Sequence, residues 1–234
     1  PPYSGSRVKV VFCAGLGYIA QILEFSRFEY GVLDMSVGYT YKYLKRKIES
    51  FCPDLIAISM MTYRYKDTYS LIQSIKRDYP KIDIIVGGSH ISLFKENALN
   101  DCPEIDYGAV LEGEELIVEL CKGAPLDSIK GLIFRDNNSI VYNGDRPFIN
   151  NLDEVLFPRY NKFEMDKSFN KEINNLPIVS SRGCPFECVY CSVKCSLGNA
   201  FRARSPENII EEMTYWYEKG YRGFSFADDN FTLI

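Results

Sequence analysis

The chain has 234 residues, 46% hydrophobic and 25% charged, with a formal net charge of −4. That is enough for one large core, or one domain plus part of another. The small, spread charge gives no electrostatic footprint for nucleic acid, which is left only as a specific substrate, or for an anionic membrane.

No apolar run approaches the roughly 20 residues of a bilayer span, and no charged-then-apolar leader opens the chain. A cytoplasmic location without a membrane partner is therefore expected. From Val8 to about Leu120, short apolar runs alternate with amphipathic stretches, the pattern of parallel strands joined by crossover helices. Val8 to Phe12 predicts a strand, followed by a helix over Tyr18 to Phe25 and a strand over Tyr30 to Leu33. A helix over Tyr41 to Phe51, the strand Asp54 to Ser59 and a helix over Thr68 to Asp78, stopped by Pro80, come next. After the strand Ile82 to Val86, Gly87-Gly88 forces a turn that a side chain would hinder. Asp106 to Leu111 predicts a further strand, ahead of a helix from Glu114 to Cys121.

A doubly wound sheet of this kind holds ligands at the carboxyl ends of its strands. The loops there are Asp34-Met35-Ser36, Ser59-Met60-Met61-Thr62, Gly87-Gly88-Ser89-His90 and Glu112-Gly113-Glu114. Gly15-x-Gly17 lacks the third glycine of a dinucleotide turn, and Lys42, Lys45, Arg46 and Lys47 read as a solvated helix face. Residues 124–175 change character: Gly131 to Arg135, a turn at Asp136-Asn137-Asn138, and Ser139 to Tyr142 predict a β-hairpin, then polar connector. From Leu176 the strand, loop and helix pattern returns, with a strand at Pro177 to Ser180, a helix over Pro206 to Lys219 and a strand at Gly223 to Ala227. Ser205 suits the cap of that helix, Pro206 its first position and Gly220 its end. The chain lacks an initiator methionine and stops at Ile234 just after the second strand of this unit. Because two strands cannot close a barrel or cover a parallel sheet, a fragment truncated at least at its carboxyl end is expected.

Eight cysteines occupy positions 13, 52, 102, 121, 184, 188, 191 and 195. Four lie within the last twelve of those positions' span, from 184 to 195, and such clustering points to metal or catalysis rather than a disulfide framework. Cys13, Cys52, Cys102 and Cys121 are scattered and read as small apolar packing residues. Arg182-Gly183-Cys184-Pro185-Phe186-Glu187-Cys188-Val189-Tyr190-Cys191 spaces three cysteines by three and then two residues. Three thiolates can ligate three irons of a 4Fe-4S cube and leave the fourth iron open, as catalytic zinc sites leave a position open. Structural zinc or a purely electron-transferring cluster would recruit a fourth ligand, and Cys195 keeps both alternatives open.

This spacing, with an aromatic before the last cysteine, resembles the radical S-adenosylmethionine superfamily. Arg202-Ala203-Arg204-Ser205-Pro206-Glu207-Asn208 and Phe226-Ala227-Asp228-Asp229-Asn230-Phe231 resemble segments of members that carry an amino-terminal cobalamin-binding domain. Pro1-Pro2-Tyr3-Ser4, Gly15-Leu16-Gly17-Tyr18, Gly87-Gly88-Ser89-His90 and Glu112-Gly113-Glu114 fit that domain. The resemblance implies a cobalamin-binding Rossmann-like domain over residues 1–123 and the start of a partial (βα) barrel over 176–234, and the hairpin and linker over 124–175 read as a bridge between these two domains. It also leaves open whether Val8 to Phe12 is the first strand of the sheet, since Pro1-Pro2-Tyr3-Ser4 follows that strand in the family.

In such enzymes Cys184, Cys188 and Cys191 hold the cluster, and the open iron chelates S-adenosylmethionine. Reductive cleavage then gives a 5′-deoxyadenosyl radical that takes hydrogen from the substrate. By the same resemblance Tyr190 lies against the adenine, and Asp228 or Asp229 meets the methionine amino group, their alternative being a solvated strand-end turn. Gly87, Gly88 and His90 are the candidate residues beside cobalamin. His90 has Gly88 two positions before it and Leu93 three after, so the Asp-x-His-x-x-Gly pattern of cobalt-ligating histidines is absent; many members lack it, and a hydrogen-bonded loop histidine is the other reading. The implied function is cobalamin-dependent methylation or rearrangement of a small molecule, served by an electron donor such as flavodoxin or ferredoxin, with the fragment alone inactive. The alternative is an iron-sulfur or zinc-binding module without S-adenosylmethionine cleavage.

Overall fold

The computed structural model describes residues 13–137, 139–168 and 176–233. The expected strand Val8 to Phe12, the Pro1-Pro2-Tyr3-Ser4 segment and Asn138 lie outside them. Two helices open the described chain, α1 (Ala14–Phe25) and α2 (Tyr41–Phe51), the latter capped by the Thr40 side chain, which accepts from the Tyr43 amide. Strand β1 (Leu55–Ser59), helix α3 (Tyr65–Asp78), strand β2 (Asp83–Gly87), two short helices α4 (Ser89–Phe94) and α5 (Glu96–Asp101), strand β3 (Tyr107–Ala109) and helix α6 (Glu114–Cys121) follow. A hairpin of β4 (Leu132–Asp136) and β5 (Ser139–Tyr142) completes a five-stranded sheet in the order β1-β2-β3-β4-β5. β1 to β3 run parallel, with Leu55 opposite Asp83 and Ser59 opposite Gly87, while β4 and β5 are antiparallel.

Strand residues alternate between the two faces of this sheet. Ile56, Ile58, Ile84, Val86 and Ile133 pack on one side with Ile48 of α2, Ile72 and Ile75 of α3, Ile91 of α4 and Leu99 of α5. Leu55, Ile85, Leu132 and Phe134 pack on the other with Leu116 and Ile117 of α6 and Ile19, Ile22 and Leu23 of α1. Helices on both faces make the sheet doubly wound. Ile72, Ile84, Ile91, Leu99, Leu116 and Ile133 have no exposed surface, and each such burial stabilises by roughly 1.5–3 kcal/mol.

Three details differ from the sequence pattern. The hairpin does not belong to a bridge between domains: β4 pairs with β3, and its side chains fill both cores, so the sheet extends past residue 123. Tyr30 to Leu33 forms no strand among the described residues; the Tyr30 carbonyl instead accepts from Lys162 Nζ at 2.6 Å. Two helices, α4 and α5, follow Gly88 where only a turn was expected, broken at Lys95, which takes a left-handed φ of 47°.

The remaining elements are α7 (Met165–Ser168), β6 (Leu176–Ile178), β7 (Ser181–Arg182), α8 (Val193–Ser196), β8 (Arg202–Ala203), α9 (Pro206–Glu218) and β9 (Phe224–Phe226). β6 pairs parallel with β9, Leu176 opposite Phe224, and α9 forms the crossover. Ser205 caps α9 by accepting from the Asn208 amide, Pro206 opens it, and Gly220 follows its end with φ of 93°. Trp216, Tyr221, Tyr160, Leu176 and Ile178 form the core of this βαβ unit.

Candidate functional site

The cysteine loop leaves β7 and returns in β8, an antiparallel ladder of two pairs: Ser181 with Ala203 and Arg182 with Arg202. Gly183 adopts φ of 84°, and a Cβ there would collide with the Ala200 carbonyl oxygen, so this tight entry needs glycine. The Cys184 amide then donates to Gly198 O at 3.2 Å. Cys184 and Cys191 are half-buried and Cys188 exposed, all with free thiols. Around them Val189 is fully exposed and Tyr190 is 88% exposed, so the loop presents apolar surface to its surroundings. A hydrogen bond between Tyr190 and Cys188 holds the Tyr190 hydroxyl above the usual phenol range. Among the described residues no three His, Cys, Asp or Glu side chains converge at metal-holding separation. The donor chemistry nevertheless fits a thiophilic centre: three free thiols on one short loop. Cys195 sits apart on α8, its amide bonded to Ser192 O.

The two aspartates after β9 have different surroundings. Asp228 accepts from the amides of Ser180 at 2.7 Å and Ser181 at 2.9 Å, and from the Ser180 hydroxyl. Its carboxylate is thereby taken up in fixing the backbone that leads into the cysteine loop. Asp229 is exposed and its carboxylate accepts from no such backbone pair among the described residues; desolvation, with the adjacent Asp228 charge, pushes its carboxyl up.

At the carboxyl edge of the sheet, Gly87 ends β2 and its carbonyl accepts from the Met60 amide at 2.8 Å. Gly88 has φ of 101°, and a Cβ there would lie 2.8 Å from Met60 O, so the β1 and β2 loops touch backbone to backbone. His90, on α4, is buried: its Nε2 lies 3.1 Å from the Tyr69 hydroxyl, and its ring stacks on Tyr65 at 5.0 Å. Burial pulls its pKa below the ordinary 6.5, against the opposing Asp101 charge. Its Nδ1 has no hydrogen-bond partner among the described residues. Met61 and Tyr63, beyond β1, and Leu93, on α4, are exposed at the same edge, where a doubly wound sheet receives an apolar ligand. Helix α4 packs against α8, so the Gly87 to His90 loop and the cysteine loop lie side by side.

Four further residues meet between the two units. Glu112 accepts from Arg182 at 2.9 Å and Arg202 at 2.8 Å, and Glu114 accepts from Arg182 at 2.7 Å. All four are buried. Burial alone would pull the Arg182 guanidinium down, and the Glu114 and Glu112 carboxylates more than reverse it. Each residue falls within a segment singled out in the sequence; their pairing does not, because the partners are 68 to 90 positions apart.

These features define a two-part α/β protein, a doubly wound sheet whose ligand edge faces a cysteine-bearing βαβ unit. Residues 5–121 match the B12 binding domain model. The chain belongs to that family. An uncharacterized methyltransferase of Pyrococcus horikoshii is 33% identical over 94% of this chain and 49% of its own length. The anaerobic magnesium-protoporphyrin IX monomethyl ester cyclase of Cereibacter sphaeroides is 26% identical over 88% of this chain and 35% of its own. The chain thus spans half or less of these curated relatives. A solved structure of the radical S-adenosylmethionine methyltransferase TsrM from Kitasatospora setae, with cobalamin and a [4Fe-4S] cluster bound, shares the fold: its TM-score is 0.77 at 18% identity, over 94% of this chain and 46% of that one. No helix among the described residues is long and apolar enough to cross a membrane.

Proposed function

We propose that this chain is the cofactor-bearing part of a cobalamin-dependent radical S-adenosylmethionine enzyme, with Cys184, Cys188 and Cys191 holding three irons of a 4Fe-4S cluster. The observation that carries this reading is the three-cysteine loop packed beside the carboxyl edge of a B12-type sheet, with α8 against α4. When bound, the cluster and S-adenosylmethionine supply the 5′-deoxyadenosyl radical, and cobalamin a transferable methyl group, for methylation of a small molecule or a related rearrangement.

The chain's own residues then have separate tasks. The three thiols hold the irons, and the exposed Tyr190 ring covers the adenine. Asp229, rather than the Asp228 already held by Ser180 and Ser181, pairs with the methionine ammonium. Gly87 and Gly88, the latter closing the β2 loop onto the Met60 backbone, form the edge that meets cobalamin, with Met61 and Tyr63 as its apolar border. His90, bonded to Tyr69 and enclosed by Tyr65 and Phe94, supports that edge from behind. An external one-electron donor of the flavodoxin or ferredoxin kind supplies the electron.

The test is anaerobic reconstitution of the full-length protein with iron, sulfide and cobalamin, followed by reductant and S-adenosylmethionine. The expected result is 5′-deoxyadenosine, lost when any of Cys184, Cys188 or Cys191 is changed to alanine, and iron content unchanged in Cys195→Ala. A fully assembled cluster that never cleaves S-adenosylmethionine, or one that needs Cys195, would replace this reading with an electron-transfer or zinc-binding module.

A further inference from the structure

The cysteine loop, residues 183–201, is long, and the backbone that closes it is short. A ladder of two pairs is well below the length at which strand pairing fixes an orientation on its own. Inside the loop the only regular element is the four-residue α8. Beyond the packing of α8 on α4, a directional fastening is needed to set how the loop sits on the sheet.

The second pair of that ladder is Arg182 with Arg202, and both guanidiniums reach the same carboxylate. Glu112 Oε1 takes Arg182 Nη1 and Arg202 Nη1, while Glu112 Oε2 takes the Ile149 amide at 2.8 Å. The second amino group of Arg182 goes to Glu114, and Arg202 also donates to the carbonyls of Ile149 and Leu197. Aromatic rings cover both cations: Tyr18 lies 4.9 Å from the Arg182 guanidinium and Phe148 lies 4.7 Å from that of Arg202. Two carboxylates balance two guanidiniums, out of water. Glu112 and Glu114 stand just beyond β3, at the ligand edge of the sheet, and Arg182 is two residues from Cys184.

We propose that Glu112 is a positioning residue that registers the cysteine loop on the carboxyl edge of the B12-type sheet, so that the spacing between groups bound on the two units is set by one buried carboxylate. What the loop carries rests on the reading above; the registration itself does not. Glutamine at 112 keeps the volume, but its amide nitrogen would put donors where the carboxylate accepts from three groups, leaving at least one of them buried without a partner.

The test compares Glu112→Gln with the unchanged full-length protein. In protein free of cluster and cobalamin, amide hydrogen exchange within residues 184–200 is expected to accelerate by about tenfold or more, while β1 to β3 keep their protection. Unchanged exchange in the loop, or an equal rise in loop and sheet, would overturn the proposal, the second because it reports only general destabilisation. In protein reconstituted with both cofactors and reduced, the distance distribution between the spins of cob(II)alamin and the cluster, read by pulsed electron paramagnetic resonance, is expected to broaden; an unchanged distribution would also overturn it. Should Glu112→Gln not fold, Arg202→Lys keeps the charge, loses the fork, and is held to the same two readouts. If the cysteines hold no cluster, iron analysis shows it separately, and the exchange measurement still decides the role of Glu112.

Discussion

The five-stranded sheet and the cysteine loop are held by opposite means. The sheet is fixed by two apolar cores in which Ile72, Ile84, Leu99 and Leu116 are wholly buried. The loop is fixed at its base by charge, through Arg182 and Arg202 on Glu112, while its tip exposes Phe186, Val189 and Tyr190. Apolar burial is non-directional and tolerant of detail, whereas a buried ionic lock demands every partner. The sheet therefore serves as scaffold, and the loop is the part whose placement depends on a few directional partners at its base.

That contrast can be broken most completely at the cysteines. Cys188→Ala is expected to reduce S-adenosylmethionine cleavage to background, measured as 5′-deoxyadenosine, with no drop in the melting temperature of the cluster-free protein, since Cys188 is exposed. Leu99→Ala is expected to do the reverse, costing about 2–5 kcal/mol in denaturant unfolding, with the folded fraction still assembling its cluster. Gly183→Ala joins the two regions: a Cβ against the Ala200 carbonyl oxygen at positive φ is expected to cost roughly 1–3 kcal/mol and to lower iron content as the loop entry shifts. A smaller effect should divide the aspartates. Asp229→Asn is expected to weaken S-adenosylmethionine binding in an equilibrium titration without changing stability, and Asp228→Ala to lower stability by leaving the Ser180 and Ser181 amides, which both donate to Asp228 Oδ1, without their acceptor.

The smallest effect belongs to the sheet. His90 is the sole histidine, and burial lowers its folded pKa below 6.5. The unfolded chain thus binds the proton first, so the stability that His90 contributes is complete above pH 6.5 and is lost as pH falls from there toward the folded pKa. The slope cannot exceed about 1.4 kcal/mol per pH unit, the bound for one proton. Urea unfolding between pH 7.5 and 5.5 should show it, and His90→Phe should flatten it.

Much of the sheet was legible in the linear pattern. Tyr41 to Phe51 and Glu114 to Cys121 are helical over the same bounds in sequence and structure, and the strands at 55–59 and 83–87 shift by one residue. Local periodicity suffices there because each element buries its own stripe. The hairpin at 132–142 was legible as a hairpin but not as part of the sheet, since partner choice depends on which edge is free. The two short helices after Gly88 carried too few residues for a period to show. Tyr30 to Leu33 looks like a strand by composition, but Lys162 takes a carbonyl there.

The sequence by itself determined the alternation of strands and helices, the three-cysteine spacing and the family resemblance, because those are properties of neighbours along the chain. Tertiary structure alone decided that Asp228 is tied to Ser180 and Ser181 while Asp229 is not, that His90 lies behind the sheet edge against Tyr69 and Tyr65, and that Glu112 meets both arginines at the base of the cysteine loop. Those outcomes depend on groups tens of residues apart arriving in one buried space, where a charge without its partner is costly, and no local pattern records which partner arrives.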